Sequence, residues 1–168
     1  MARKTHLLKQ LDSLDTRHKA VVCNILDNGE DSLEQVIRRE FDARRPLVVI
    51  TEGLVNYFDL DTISGFWKRL GVMLKEFTVG VYLTDVYPSV QGHKFSGLIR
   101  TANESLRVAS RSRFCLHFGA DSEMEQHFDR LGYVHTQVFD PDRDIADPKI
   151  PRAVGGAIVR VIAATATL

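Results

Sequence analysis

The stretch Leu47-Val48-Val49-Ile50-Thr51-Glu52-Gly53 places a carboxylate almost directly after four aliphatic residues. An acid emerging from such a run is costly to bury, so it calls for a partner or a cationic ligand. Gly53 lets the backbone turn sharply or approach a ligand closely, and Tyr57 and Phe58 follow soon enough to wall a pocket. The same residues also have a structural reading. Glu52 would then cap the next turn and the two rings would belong to the core, since perturbed acids also occur in structural networks. Asn24-Ile25-Leu26-Asp27 and Thr84-Asp85-Val86-Tyr87 close apolar runs in a similar way. Ligands of open α/β sheets lie outside the carboxyl ends of the strands, which makes these three strand ends the places for chemistry.

Other candidate groups are weaker. His6, His18, His93, His117, His127 and His135 show no zinc-like spacing with a cysteine, and no metal site is expected. Arg107, Arg111 and Arg113 read as a solvated helix end. Ser64-Gly65 and Ser96-Gly97 lie in helical patterns, without the strand-to-turn setting of a hydrolase nucleophile. Asp140, Asp142, Asp144 and Asp147 lack the glycine and closing glutamate of a calcium loop. No residue identifies itself as a catalytic acid or base.

The elements that must hold these residues follow from periodicity. Leu7, Leu8, Leu11 and Leu14 line one face of a helix over residues 3 to 14. His18 to Ile25 reads as a first strand. Asp31 with Glu34 forms a capping box ahead of Leu33, Val36, Ile37 and Phe41. Leu47 to Ile50 reads as a strand buried on both faces, as in parallel sheets covered by helices. Ile63, Phe66, Trp67, Leu70, Met73, Leu74 and Phe77 mark the clearest helix, capped by Asp59 or Asp61. Thr78 to Val86 is the next strand, and Phe95 to Ala109 a further helix. Ser122 with Glu125 opens another helix that ends near Leu131-Gly132. Tyr133 to Phe139 and Ala157 to Ala163, joined by a loop without a helical pattern, predict an antiparallel pair at one sheet edge.

The run Val49-Ile50-Thr51-Glu52-Gly53-Leu54-Val55-Asn56-Tyr57-Phe58 resembles the signature of the leucine carboxyl methyltransferase-like family of S-adenosylmethionine (SAM)-dependent O-methyltransferases. Ala2-Arg3-Lys4 with Leu7-Leu8, Val22 to Leu26, Gly132-Tyr133 and Ala157 to Val161 resemble further family elements, so the likeness spans nearly the whole chain. The resemblance implies an α/β fold with a Rossmann-like class I methyltransferase sheet, mostly parallel, with an antiparallel C-terminal strand pair. It also implies that Glu52 and Gly53 contact SAM and that Asn24 and Ile25 lie beside the adenine. The family commonly has Asp where this chain has Asn24, and an amide both accepts and donates there. Tyr57 and Asp85 become substrate-side candidates. The family's opening strand, Gly-rich loop and second strand have no counterpart in the sequence, so the resemblance points to a single domain over 1–168 that is N-terminally truncated, or is completed by another chain.

Composition agrees with an ordinary globular domain: 44% hydrophobic and 26% charged residues, with 22 basic side chains against 22 acidic ones. That balance offers no general attraction for nucleic acid or anionic membrane. Cys23 and Cys115 read as reduced thiols, and no apolar run reaches membrane-spanning length, so the expected address is the cytoplasm. Two functions are open. One is SAM-dependent methyl transfer to an oxygen, such as a carboxylate, of a small molecule or peptide. The other is a non-catalytic, methyltransferase-like interaction or structural module. Apolar edges left exposed by the missing strands also predict a homo-oligomer or poor solubility.

Overall fold

The computed structural model describes residues 18–89, 114–147, 149, 152 and 156–167. The helices expected over 3 to 14 and 95 to 109, and Arg107, Arg111 and Arg113, lie outside them. The chain divides into two compact units, Met1–Phe41 and Asp42–Leu168.

In the first unit, α1 (Leu33–Glu40) is capped by Ser32, whose side chain accepts from the Gln35 N–H. The capping box based on Asp31 is thus displaced by one residue. The strand expected over His18 to Ile25 does not form; only Asn24 makes a bridge, to Ser32. Its polar groups are used locally instead. Asn24 N–H donates to the Asp31 carbonyl, and the Asn24 carbonyl accepts from Asp27 N–H. With no strand beside it, Val22 stays 64% exposed.

The second unit runs β1 (Leu47–Thr51), a 3-10 turn (Val55–Tyr57), α2 (Leu60–Leu74), β2 (Gly80–Val86), α3 (Asp121–Arg130), β3 (His135–Phe139), the short α4 (Pro141–Asp144) and β4 (Arg160–Thr165). The sheet is mixed, in the order β1-β2-β4-β3. β1 and β2 pair in parallel, while β4 is antiparallel to both β2 and β3. The antiparallel pair is as expected. Its last strand, however, inserts between β2 and β3, so antiparallel pairing takes a larger share than the sequence implied.

Asp59 caps α2 through the Thr62 N–H. The apolar stripe of α2 then buries Ile63, Phe66, Trp67, Leu70, Met73 and Leu74 completely. α3 adds Met124 and Phe128, and both helices cover the sheet face that carries Tyr82. Trp67 and Phe128 meet at 4.7 Å between ring centroids, and Phe128 stacks on Tyr82 at 6.3 Å. α3 starts one residue before Ser122 with no side-chain cap at Ala120, so the second capping box does not form. Glu123 accepts the Gly119 N–H instead.

β1 differs from expectation on its other face. Val48 is 52% and Ile50 68% exposed, so the strand is not buried on both faces. Among the described residues it lies at the sheet edge, and an aliphatic run reads the same whether one face is covered or two.

Candidate functional site

β1, β2 and β3 all end on one side of the sheet, and β4 begins there with Arg160. Below that rim lies a directed hydrogen-bond chain. The Trp67 indole N–H donates to the Tyr82 hydroxyl at 3.1 Å, and Thr51 donates to Thr84 at 2.9 Å. Thr84 in turn donates to the Asp85 carbonyl. The single Thr51 proton is therefore spent on Thr84, so the 2.6 Å contact of Thr51 with Tyr82 has the phenol as donor. Burial pushes the Tyr82 hydroxyl above the ordinary phenol range, which keeps it protonated for that role. The chain holds Thr51, and hence the point where Glu52 leaves β1.

Gly53 turns immediately afterwards with φ +60, a left-handed conformation that glycine adopts without strain. Its N–H donates to Asp85 Oδ1 at 2.8 Å. Glu52, Gly53 and Asp85 are thus brought together at the ends of neighbouring parallel strands. Glu52 itself is exposed, and no hydrogen bond or ion pair joins it to another described residue. The expectation that burial would force a partner on it fails, because the end of an edge strand opens to water. Asp85 has one oxygen committed to the Gly53 turn, which gives it a positioning part beside any substrate-side one.

Tyr57 is 55% exposed and touches the Phe114 ring edge-on at 5.8 Å, so it stands at the rim and is not core. Phe58 is half-buried. Asn24 and Ile25 belong to the first unit, where Asn24 Oδ1 accepts from the Leu26 N–H at 3.0 Å. A cavity of about 410 Å³ in that unit is lined by Glu30, Gln35, Arg38 and Arg39, none of which the sequence had singled out.

Asn56 carries more of this rim than its sequence position advertised. Its side-chain NH2 donates to the carbonyls of Tyr87 (3.0 Å) and Cys115 (2.6 Å), and its Oδ1 accepts from Tyr87 N–H (2.9 Å). One buried amide therefore ties the turn after β1 to the end of β2 and to the segment before α3. A polar asparagine between Val55 and an aromatic pair was the available signal. Arg160 is the second such hub. It pairs with Asp121 at 3.0 Å and Asp140 at 3.1 Å, and donates to the carbonyls of Ala157 and Val159. Its guanidinium thus ties the start of β4 to α3 and to Asp140.

His117 is buried beside this segment, and desolvation holds its imidazole below the usual range. His127 shifts the same way for the same leading reason, and its Nε2 lies 2.8 Å from Ser64 Oγ. Ser64 already donates to the Leu60 carbonyl, so it accepts from the imidazole and is not an activated nucleophile. Cys23 and Cys115 form no disulfide. Among the described residues there is no cluster able to hold a metal ion and no helix long and apolar enough to cross a membrane.

No family model matches the chain, and no curated protein does. Solved structures do. A DUF574 family protein from Streptomyces avermitilis MA-4680 superposes with a TM-score of 0.56 at 17% identity, covering 84% of this chain and 52% of that one. The fold is shared. A protein from Nostoc punctiforme PCC 73102 assigned as an O-methyltransferase gives a TM-score of 0.46 at 15% identity, over 75% of this chain and 34% of that one. A SAM-dependent methyltransferase from Thermotoga maritima gives 0.37 at 12% identity, over 70% and 55%. The chain thus spans between about a third and just over half the length of these three structures.

Proposed function

We propose that the chain takes part in SAM-dependent methyl transfer to an oxygen, such as a carboxylate, of a small molecule or peptide. The observation that carries this reading is the uncommitted Glu52 carboxylate beside Gly53, at the carboxyl end of β1. SAM carries positive charge on its sulfonium and amino groups, and an anion at the end of a strand is a suitable counter-charge. At Gly53 a side chain would meet nothing within 4 Å, so the backbone there is open to a ligand. Glu52 and Gly53 would hold the charged end of the cofactor, with Asp85 fixing the turn between them.

When bound, SAM supplies a methyl group that is already electrophilic. An ionised carboxylate acceptor is already nucleophilic, so the site needs positioning and exclusion of water more than a base. Four exposed or half-buried groups, Glu52, Gly53, Tyr57 and Asp85, are the residues this chain offers for that positioning.

A second reading, a non-catalytic interaction module, is favoured by the exposed Val48 and Ile50 on the edge strand. Calorimetric titration of the chain with SAM separates the two. Saturable binding that weakens in Glu52→Ala supports methyl transfer. Absence of binding to a chain that circular dichroism shows folded supports the module.

A further inference from the structure

We infer that β1 is a self-pairing edge, and that a second copy of this chain docks on it antiparallel across a two-fold axis at Val49. In a parallel pair, alternate residues direct both backbone groups to the neighbouring strand. Leu47 N–H donates to the Val79 carbonyl, and the register continues Val49↔Tyr82 and Thr51↔Thr84. Leu47, Val49 and Thr51 therefore serve β2, while the N–H and C=O groups of Val48 and Ile50 face outward. A two-fold axis at Val49 sets Val48 opposite Ile50 of the partner subunit, and the reverse. Those are the two residues whose outward groups must meet to form the hydrogen-bonded pairs of an antiparallel ladder.

The side chains fit the same register. Val48 and Ile50 are 52% and 68% exposed, and the pairing lays each aliphatic group against the other across the axis. Nothing within Leu47–Thr51 blunts the edge, since it has no lysine, proline or bulge. The charges at the strand ends are also complementary. Pro46 falls opposite Glu52 of the partner subunit, which brings the Arg44-Arg45 end of one copy beside that acid. Arg44 pairs with Asp42 at 2.8 Å and Arg45 acts on the same carboxylate through space, whereas neither exposed Arg45 nor Glu52 forms a salt bridge among the described residues. Like ends never meet in this arrangement, so the two-fold favours attraction at both ends of the ladder.

This pairing does not rest on the methyl-transfer reading, although both call on Glu52, so its test uses no cofactor. Sedimentation equilibrium of the full chain from micromolar to hundred-micromolar concentration is expected to show a monomer–dimer equilibrium. Ile50→Lys puts a charge on an exposed edge position and is expected to weaken the dimer at least about tenfold, with circular dichroism unchanged. Arg45→Glu is expected to weaken it, and Arg45→Glu combined with Glu52→Arg to restore it. A monomer throughout the range, open-ended aggregation in place of a dimer, or a dimer indifferent to Ile50→Lys would overturn the inference. So would failure of the double charge swap to restore a dimer lost in Arg45→Glu.

Discussion

Three backbone groups at the rim of the sheet depend on one side chain, that of Asn56. Replacing it with alanine leaves the Tyr87 N–H and the carbonyls of Tyr87 and Cys115 without their buried partner. An orphaned buried group costs ~1–3 kcal/mol, and partial rehydration at the rim limits the total, so Asn56→Ala is expected to cost about 3 kcal/mol in urea unfolding. A loss under about 0.5 kcal/mol, the range of ordinary surface changes, would show that the rim does not need this hub. Glu52 sits at the opposite extreme. It is exposed and unpaired among the described residues, so its removal is expected to leave the fold of the single chain unchanged and to register in SAM binding and in the pairing of two copies. One side chain is thus held by the fold of the single chain, and the other is left free of it.

Among the elements, the approach of α2 to β2 is the tightest feature. A Cβ on Gly80 would lie 2.3 Å from the Leu74 carbonyl oxygen and 2.8 Å from Leu74 Cβ. Gly80 is also bonded on both sides, its N–H donating to Thr167 Oγ1 and its carbonyl accepting from Ala166 N–H. The strand cannot slide away without losing these bonds, so Gly80→Ala is expected to destabilise the chain by ~2 kcal/mol. An unchanged thermal midpoint would mean that the helix end yields freely. Much of this scale was legible beforehand. The three- and four-residue steps of α2, a cap at Asp59 as one of two candidates, and the strand ending at Val86 come from local physics and are found in place. Caps at Asp31 and Ser122 were misplaced because several polar residues compete at each start, and backbone turns decide among them. The strand expected at His18 to Ile25 failed for another reason. A short apolar run becomes a strand only when a neighbour accepts its hydrogen bonds, and here Asn24 finds both of its backbone partners in a local turn.

For the whole molecule, pairing partners were the unreadable part. Nothing in Ala157 to Thr165 announces insertion between β2 and β3, because that register is a matter of distant residues. The aliphatic run of β1 likewise concealed its edge position, and with it the exposure of Glu52. The site was legible as a set of residue types, and partly as an arrangement: Glu52, Gly53 and Asp85 do come together. A global consequence follows from the two imidazoles. Burial lowers the folded pKa of both His117 and His127. Between that lowered value and the ordinary one of about 6.5, the unfolded chain binds more protons than the folded one, so stability rises with pH. Stability is therefore fully present above about pH 6.5 and falls as pH drops below it towards the folded pKa. Thermal melts between neutral and mildly acidic pH are expected to show this decline, reduced in His117→Gln. A midpoint flat across that window would contradict it.

SAM and S-adenosylhomocysteine differ at sulfur by one methyl group and one positive charge, so the difference between their affinities reports the anion that faces the sulfonium. A carboxylate at contact distance from a cation contributes roughly 1 kcal/mol in water and more where solvent is partly excluded, or about tenfold in affinity for a sheltered rim. Calorimetric comparison of the two ligands is expected to show that preference for SAM in the unaltered chain, and near parity in Glu52→Gln. An equal preference in both proteins would place the methyl donor away from this strand end and contradict a cofactor role for Glu52.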